Sequence, residues 1–268
     1  MVKGLVKPVW GFPALLILDR RKTLVVADLH LGIEEEYRRK GALIPSQTGK
    51  ILKELLNLVE VCKSKQLVLL GDIKHLIPTP PTRVKKEITD FLRELAEKTR
   101  VVVVPGNHDG GITELCPGEV YVASSRGLLI ENVGLFHGHA WPSLEVLNAR
   151  VLVMGHNHPV IAFADEFGYR TYEKAWIIAK VNVGDLFKKH PLGKDVKLWK
   201  EKKQKTLIIM PAFNPLIGGT AFNSSDEALG PVLRSGCVNL DEAEVYLVDG
   251  TFLGKLSMLK ALSHLDNP

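Results

Sequence analysis

Five times along this chain an uninterrupted apolar run stops and a metal-ligating side chain follows at once. Leu24-Val25-Val26-Ala27 leads to Asp28-Leu29-His30, residues 67–70 lead to Gly71-Asp72-Ile73-Lys74-His75, and residues 101–104 lead to Pro105-Gly106-Asn107-His108-Asp109. Leu135-Phe136 leads to His137-Gly138-His139, and residues 151–154 lead to Gly155-His156-Asn157-His158. Short apolar runs bounded by turn residues read as strands. In open α/β sheets the carboxyl ends of the strands form the crevice where ligands bind, so all five clusters can converge on one place.

The stretches between the first runs fit that reading. Residues 46–62 carry Ile51, Leu52, Leu55, Leu56, Val59 and Cys62 at helical spacing, with Ser46 as N-cap, and residues 82–98 repeat the pattern behind Pro78, Pro80 and Pro81. Strands alternating with such helices predict an α/β layered fold. From residue 128 onward the spacing predicts short strands at 128–130, 133–136, 151–154, 160–163, 176–183, 207–210 and 245–248, few helices, and a second, more antiparallel sheet. With 268 residues, 46% of them hydrophobic, the chain can bury one large core, and residues 1–268 are expected to form a single domain. Residues 188–205 hold eight lysines and few apolar anchors, marking a surface excursion at about 185–205. A solvated loop is its first reading, contact with nucleic-acid phosphates the second.

Composition excludes some chemistry. Cys62, Cys116 and Cys237 form no CxxC pair, which argues against a thiolate metal site or a disulfide framework and points to a reducing cytoplasm. The apolar run 14–18 is too short to span a membrane and reads as a buried strand, so no membrane partner is expected. A net charge of +5 favours anionic substrates, since a positive field steers anions inward.

The candidate ligands are oxygens of carboxylate and amide plus imidazole nitrogens. That set suits Mn²⁺ first, with Fe²⁺, Zn²⁺ or Ni²⁺ as alternatives. In Asp-x-His and His-x-His on an extended segment, alternate side chains share a face and reach one site. Asp72 is the natural bridge between two ions, because a carboxylate spans metals about 3.5–4 Å apart. An isolated Asp-x-His is expected by chance. Gly106-Asn107-His108-Asp109 is more specific, because no packing role accounts for its histidine.

In order, Asp-x-His, Gly-Asp, Gly-Asn-His-Asp, His-Gly-His and Gly-His-x-His resemble the calcineurin-like metallophosphoesterase superfamily over roughly residues 24–158. Gly71-Asp72-Ile73-Lys74-His75 looks like its archaeal subgroup related to SbcD-type DNA-repair nucleases. The resemblance implies a four-layer α/β/β/α sandwich with two mixed β-sheets. It also implies that Asp28, His30 and His158 hold one metal, that Asn107, His137 and His156 hold the other, and that Asp72 holds both. His139 receives no metal, and no separate nuclease capping domain is expected. Two such ions acidify a water between them, supplying hydroxide for in-line attack on phosphorus. His108 is the candidate general acid, Asn107 a donor to the substrate phosphate, and His75 an assistant or a merely supporting residue. Asp109 either orients a histidine or caps its turn. Residues 210–219 form a Pro- and Gly-rich turn that either joins two strands, the first reading, or faces the cleft.

The expected activity is hydrolysis of a phosphodiester in DNA, RNA or a nucleotide. A phosphomonoesterase or protein phosphatase is the alternative. A non-catalytic metal-binding scaffold is disfavoured, because Asp28, His30, Asp72, Asn107, His108, His137, His156 and His158 are all present.

Overall fold

The apolar runs fold as strands of two sheets in the computed structural model, which describes residues 5–192, 204–225 and 229–265. The lysines between 193 and 203 lie outside the described residues. β1 (Val6–Pro8), β2 (Ala14–Ile17), β3 (Thr23–Val26), β4 (Gln66–Leu70), β5 (Arg100–Val104) and β6 (Tyr121–Val122) form the first sheet in that order. β3 to β6 run parallel, and β2 and β1 add antiparallel at the β3 edge. After β3 comes a short helix, α1 (Glu34–Arg39), then α2 (Thr48–Val61); α3 (Thr82–Lys98) crosses from β4 to β5. α1 has no apolar stripe to betray it. Instead, three glutamates in its first turn and two arginines in its last suit the helix dipole. Ser46 stands one residue before the capping position, which Gln47 occupies, although the Ser46 hydroxyl still accepts from the Thr48 amide at 3.3 Å.

The second sheet contains β7 (Leu128–Ile130), β8 (Val133–Phe136), β9 (Val151–Met154), β10 (Pro159–Ala164), β11 (Arg170–Asn182), β12 (Gln204–Ile209), β13 (Thr220–Ala221), β14 (Val238–Leu247) and β15 (Phe252–Lys255). Its main order is β13-β10-β11-β12-β9-β8-β7, with β14 pairing β11 and β15. β8, β9 and β12 are mutually parallel neighbours, β10 and β13 are parallel, and the other pairs are antiparallel, so this sheet too is mixed. More helix accompanies it than the sequence promised: α4 (Leu144–Asn148), α5 (Val183–Lys189), α6 (Pro231–Arg234) and α7 (Leu256–Leu265). The first three are too short to establish a helical period.

Three apolar clusters hold the layers together. Leu24 and Val26 of β3, Leu67 and Leu69 of β4, and Val101 and Val103 of β5 face Ile51, Leu55, Phe91 and Leu95 of α2 and α3. The alternate residues Val25, Val68, Leu70, Val102 and Val104 meet Leu135, Val151, Val153, Trp176 and Ile208 of the second sheet. Leu152, Met154, Ile177, Ile209 and Val245 meet Leu147, Leu186, Val232 and Leu259 of the outer helices. These are the four layers α/β/β/α. Strands buried on both faces must be apolar at every position, which is why β3, β4, β5 and β9 read as continuous runs. Burial of each such Leu or Val contributes about 1.5–3 kcal/mol relative to exposure. Among the described residues no helix is long and apolar enough to cross a membrane.

Candidate metal centre

All five clusters follow the carboxyl ends of strands: β3, β4 and β5 from one sheet, β8 and β9 from the other. Beyond the regular ladder, the chains leaving β3 and β4 stay zipped together. The Asp28 amide donates to Gly71 O at 3.1 Å, the His30 amide to Asp72 O at 2.8 Å, and the Leu31 amide to Ile73 O at 2.7 Å. Asp28, His30 and Asp72 are thereby held side by side. The backbone there is strained: Asp28, His30, Asp72, His156 and His158 all have positive φ, between 41° and 69°. Such conformations cost about 1–3 kcal/mol each in non-glycine residues and persist where surrounding structure imposes them. At Gly71 and Gly106 a Cβ would collide with the His137 ring and the Asp72 carboxylate, so only glycine lets these loops approach.

The candidate ligand atoms fall into two groups sharing one carboxylate, and a third cluster, His30, His75 and His108, adjoins the first. Asp28, His30, Asp72 and His158 offer atoms within 4.8 Å of one another, as do Asp72, His137 and His156. Asp72 Oδ2 stands 3.5 Å from His30 Nε2 on one side and 3.3 Å from His137 Nε2 on the other. Asn107 Oδ1 is 3.2 Å from His137 Nε2, adjoining the second group. His158 Nε2 is 3.2 Å from Asp28 Oδ1, and the His156 amide donates to the Asp28 carboxylate at 3.1 Å. The fit to divalent cations is chemical as well as geometric. Nε2 of His30 is buried without a hydrogen-bond partner, a costly arrangement unless another group accepts its lone pair.

A chain of hydrogen bonds selects the tautomer that leaves the His30 Nε2 lone pair free. His137 Nδ1 donates to Leu70 O at 3.2 Å, and Nε2 faces Asp72. His75 Nε2 lies 2.6 Å from Glu36 Oε2, and His75 Nδ1 lies 3.1 Å from His30 Nδ1. In the chain Glu36–His75–His30, each ring passes a proton bond outward, and His30 Nε2 is left as a donor of electrons. His108 Nδ1 donates to His75 O at 2.6 Å, while its Nε2 stands 4.0 Å from Asp72 Oδ2 on a partly exposed ring.

Burial pushes His30 down to about 3 and His156 down to about 4, so both imidazoles are neutral at physiological pH. For His137 burial also opposes charge, but the hydrogen bond to Asp72 and the charges of Asp28 and Asp72 outweigh it and raise the ring to about 9. Asp72 is the other half of that pair. Burial works against its ionisation, yet His137 and His30 hold it below the usual carboxylate range.

Asp109 caps its turn: Oδ1 accepts from the Ile73 and Lys74 amides and Oδ2 from the Gly106 amide. No bond to a histidine is formed by it among the described residues. His139 sits beside His137 with ring centroids 5.3 Å apart and belongs to neither ligand group. The turn after β12 does more than join strands. The Phe213 amide donates to Ala27 O at 2.9 Å, and Asn214 Nδ2 donates to Leu29 O at 2.7 Å. Half-buried Lys174 in turn donates to Ala212 O and Asn214 O at 2.7 and 2.6 Å. Asn214, Lys174 and Glu36 thus brace the candidate ligands; the sequence placed Asn214 in a turn that joins strands or faces the cleft, and pointed to neither Lys174 nor Glu36. The one available signal was a lysine at an inward-facing strand position.

The sequence profile described as calcineurin-like phosphoesterase matches residues 21–240. The chain belongs to the calcineurin-like phosphoesterase family. The family's divalent-metal chemistry agrees with the donor set found here. The crystal structure of Pseudomonas putida nuclease MPE superposes on 90% of this chain and 92% of its own with TM-score 0.56 at 21% identity, which shows a shared fold. The E. coli phosphoesterase YfcE matches 53% of this chain and 73% of its own at 22% identity and TM-score 0.34.

Proposed function

We propose that this calcineurin-like phosphoesterase is a phosphodiesterase acting on nucleic acid or nucleotide diesters through two divalent ions, with Mn²⁺ the preferred metal. The observation that carries the metal assignment is the position of Asp72 Oδ2 between His30 Nε2 and His137 Nε2, at 3.5 and 3.3 Å. Asp28, His30 and His158 would hold one ion, Asn107, His137 and His156 the other, with Asp72 available to both, all within one domain. Bound there, the two ions supply Lewis acidity and an acidified water.

The chain's own groups do the rest. Asn107 would offer its amide oxygen to the second ion, leaving its amide hydrogens for a substrate phosphoryl oxygen. His108, steadied at Nδ1 by His75 O, presents Nε2 toward the centre and protonates the departing oxygen. His75 acts through His30 and His108 rather than on substrate. The preference for diesters is supported by the fold shared with a protein described as a nuclease. The histidine three residues after Asp72 supports placement beside SbcD-type enzymes within the family.

The test is hydrolysis of bis(p-nitrophenyl) phosphate against p-nitrophenyl phosphate by chelator-stripped protein supplied with Mn²⁺, Mg²⁺, Zn²⁺ or nothing. Metal-restored turnover favouring the diester is expected. Preference for the monoester would replace this reading with a phosphomonoesterase.

A further inference from the structure

Tyr172 and Lys174 stand two residues apart on β11 and so share one face of the strand. That face borders a cavity of about 560 Å³, closed on its other sides by α2, the β1–β2 and β14–β15 turns and the turn after β12. None of its lining residues is a candidate metal ligand. Two groups in its wall have unused hydrogen-bonding capacity. Lys174 spends two of its three ammonium hydrogens on Ala212 O and Asn214 O, and the third has no acceptor among the described residues. Glu54 of α2 forms no hydrogen bond or ion pair among the described residues, so both its oxygens are open. The two groups are neighbours: burial pushes the Lys174 ammonium down to about 8, and the charges of Asp28 and Glu54 oppose that shift. Lys174 is therefore still a cation at pH 7.

The chemistry of the wall selects its occupant. Glu54 only accepts hydrogen bonds and Lys174 only donates them, so a ligand must offer donors and an acceptor along one edge. Tyr172, Phe213 and Pro215 supply flat apolar surface, which suits a planar ring. Lys50 and Lys174 are balanced by Glu54 and Asp249, while Glu173 belongs to the opposite face of its strand. No excess positive charge draws an anion there, which favours a nucleoside over a nucleotide. Among the nucleobases, guanine presents two adjacent N–H donors, at N1 and N2, beside the O6 acceptor. The paired donors match a carboxylate bidentately, and O6 takes the remaining Lys174 hydrogen. Adenine, cytosine and uracil each offer a single donor group on that edge. A base with its ribose is also of the size that cavities of this volume hold.

We propose that the cavity between α2 and β11 is an effector site for a guanine nucleoside, held by Glu54 and Lys174 and stacked on Tyr172, whose occupancy tightens the metal centre. The route between the two is short. Lys174 holds the 212–214 turn, and that turn holds the Asp28 segment through Phe213 N to Ala27 O at 2.9 Å and Asn214 Nδ2 to Leu29 O at 2.7 Å. A ligand that fixes Lys174 therefore steadies the segment carrying Asp28 and His30, and by linkage bound metal tightens the ligand by the same factor. The effector site does not depend on which ester the centre hydrolyses.

The test is equilibrium dialysis of tritiated guanosine against the full chain, Mn²⁺-loaded and chelator-stripped. The loaded protein should bind guanosine about tenfold or more tightly than adenosine or inosine, each of which lacks one of the paired donors. It should also bind about fivefold or more tightly than the stripped protein. Glu54→Gln, which keeps the side chain's size and removes one of its two acceptors, should weaken guanosine about tenfold, and Tyr172→Ala should do the same through lost stacking. Both variants should bind Mn²⁺ like the parent when guanosine is absent. Failure of the parent to bind guanosine overturns the proposal, as does equal affinity for adenosine or unchanged affinity in Glu54→Gln. Displacement of guanosine by a free α-amino acid at lower concentration would assign the Glu54 and Lys174 pair to a zwitterion and overturn the guanine reading. Guanosine binding that is the same with and without Mn²⁺ would overturn the effector role.

Discussion

Replacing Asn214 with alanine removes the clamp behind the Asp28 segment. Two bonds disappear: Nδ2 to Leu29 O at 2.7 Å and Leu216 N to Oδ1 at 2.9 Å. Asn214 and Leu29 are both buried, so water cannot readily replace the lost partner. Each such bond contributes about 0.5–1.5 kcal/mol, and a stranded buried group costs about 1–3 kcal/mol, giving a destabilisation of roughly 2–4 kcal/mol. In a chain of this size that lowers Tm by roughly 5–15 °C. The more telling effect is on the metals. Asp28 at φ 60° and His30 at φ 43° are held in sparsely populated conformations, and the clamp is part of what holds them. Freed to relax, they should bind Mn²⁺ about 10–100-fold more weakly, as loss of outer support does at other metal sites. Asn223→Ala is the control. Asn223 is equally buried and clasps Ala162 N and O at 2.9 and 2.8 Å, away from the ligands, so it should melt early yet bind metal normally. Calorimetric Mn²⁺ titration and thermal melts of the three proteins decide the matter. Parent-like Mn²⁺ affinity in Asn214→Ala, or equal weakening in both variants, would refute the clamp.

His108→Ala should lower kcat on the diester about 10²–10⁴-fold while metal content stays intact, as expected for loss of a general acid; metal analysis beside kinetics checks it. Glu36→Ala removes the partner that fixes the His75 ring, and should weaken metal binding and activity about tenfold or more, with Glu36→Gln recovering part of both. In the chelated protein, His137 is raised from 6.5 to about 9. Its contribution is fully present below pH 6.5 and is lost as pH rises to about 9, so the denaturant midpoint should fall across that window. His30 and His156, with folded values near 3 and 4, add pH dependence only below pH 6.5. A midpoint flat between pH 6.5 and 9 would contradict the His137 assignment.

Much of the fold was legible because double-sided burial leaves unbroken apolar runs. β3, β4, β5 and β9, with α3, could be read almost to the residue, and the polar clusters beyond the strands come together at the candidate metal centre. What escaped notice was written in polar residues. The first half of β11 and the start of β14 alternate toward solvent on one or both faces, and α1 is held by charge and by contacts distant in sequence. The braces were hidden for the same reason: Asn214 lies 185 residues from Leu29, Glu36 lies 39 from His75, and only the folded chain joins them. Asp109 shows the converse limit, since its sequence neighbourhood allowed either a histidine partner or a turn cap, and backbone geometry selected the cap.

The most direct test of the Asp72-bridged centre is a titration of chelator-stripped protein with Mn²⁺ in which binding and diester hydrolysis are followed together, beside Asp72→Asn. Two equivalents per chain, activity that rises with the second, and loss of both in Asp72→Asn are the expected results. Full activity at one equivalent, or a variant that still binds two ions and turns over like the parent, would contradict a centre built on Asp72.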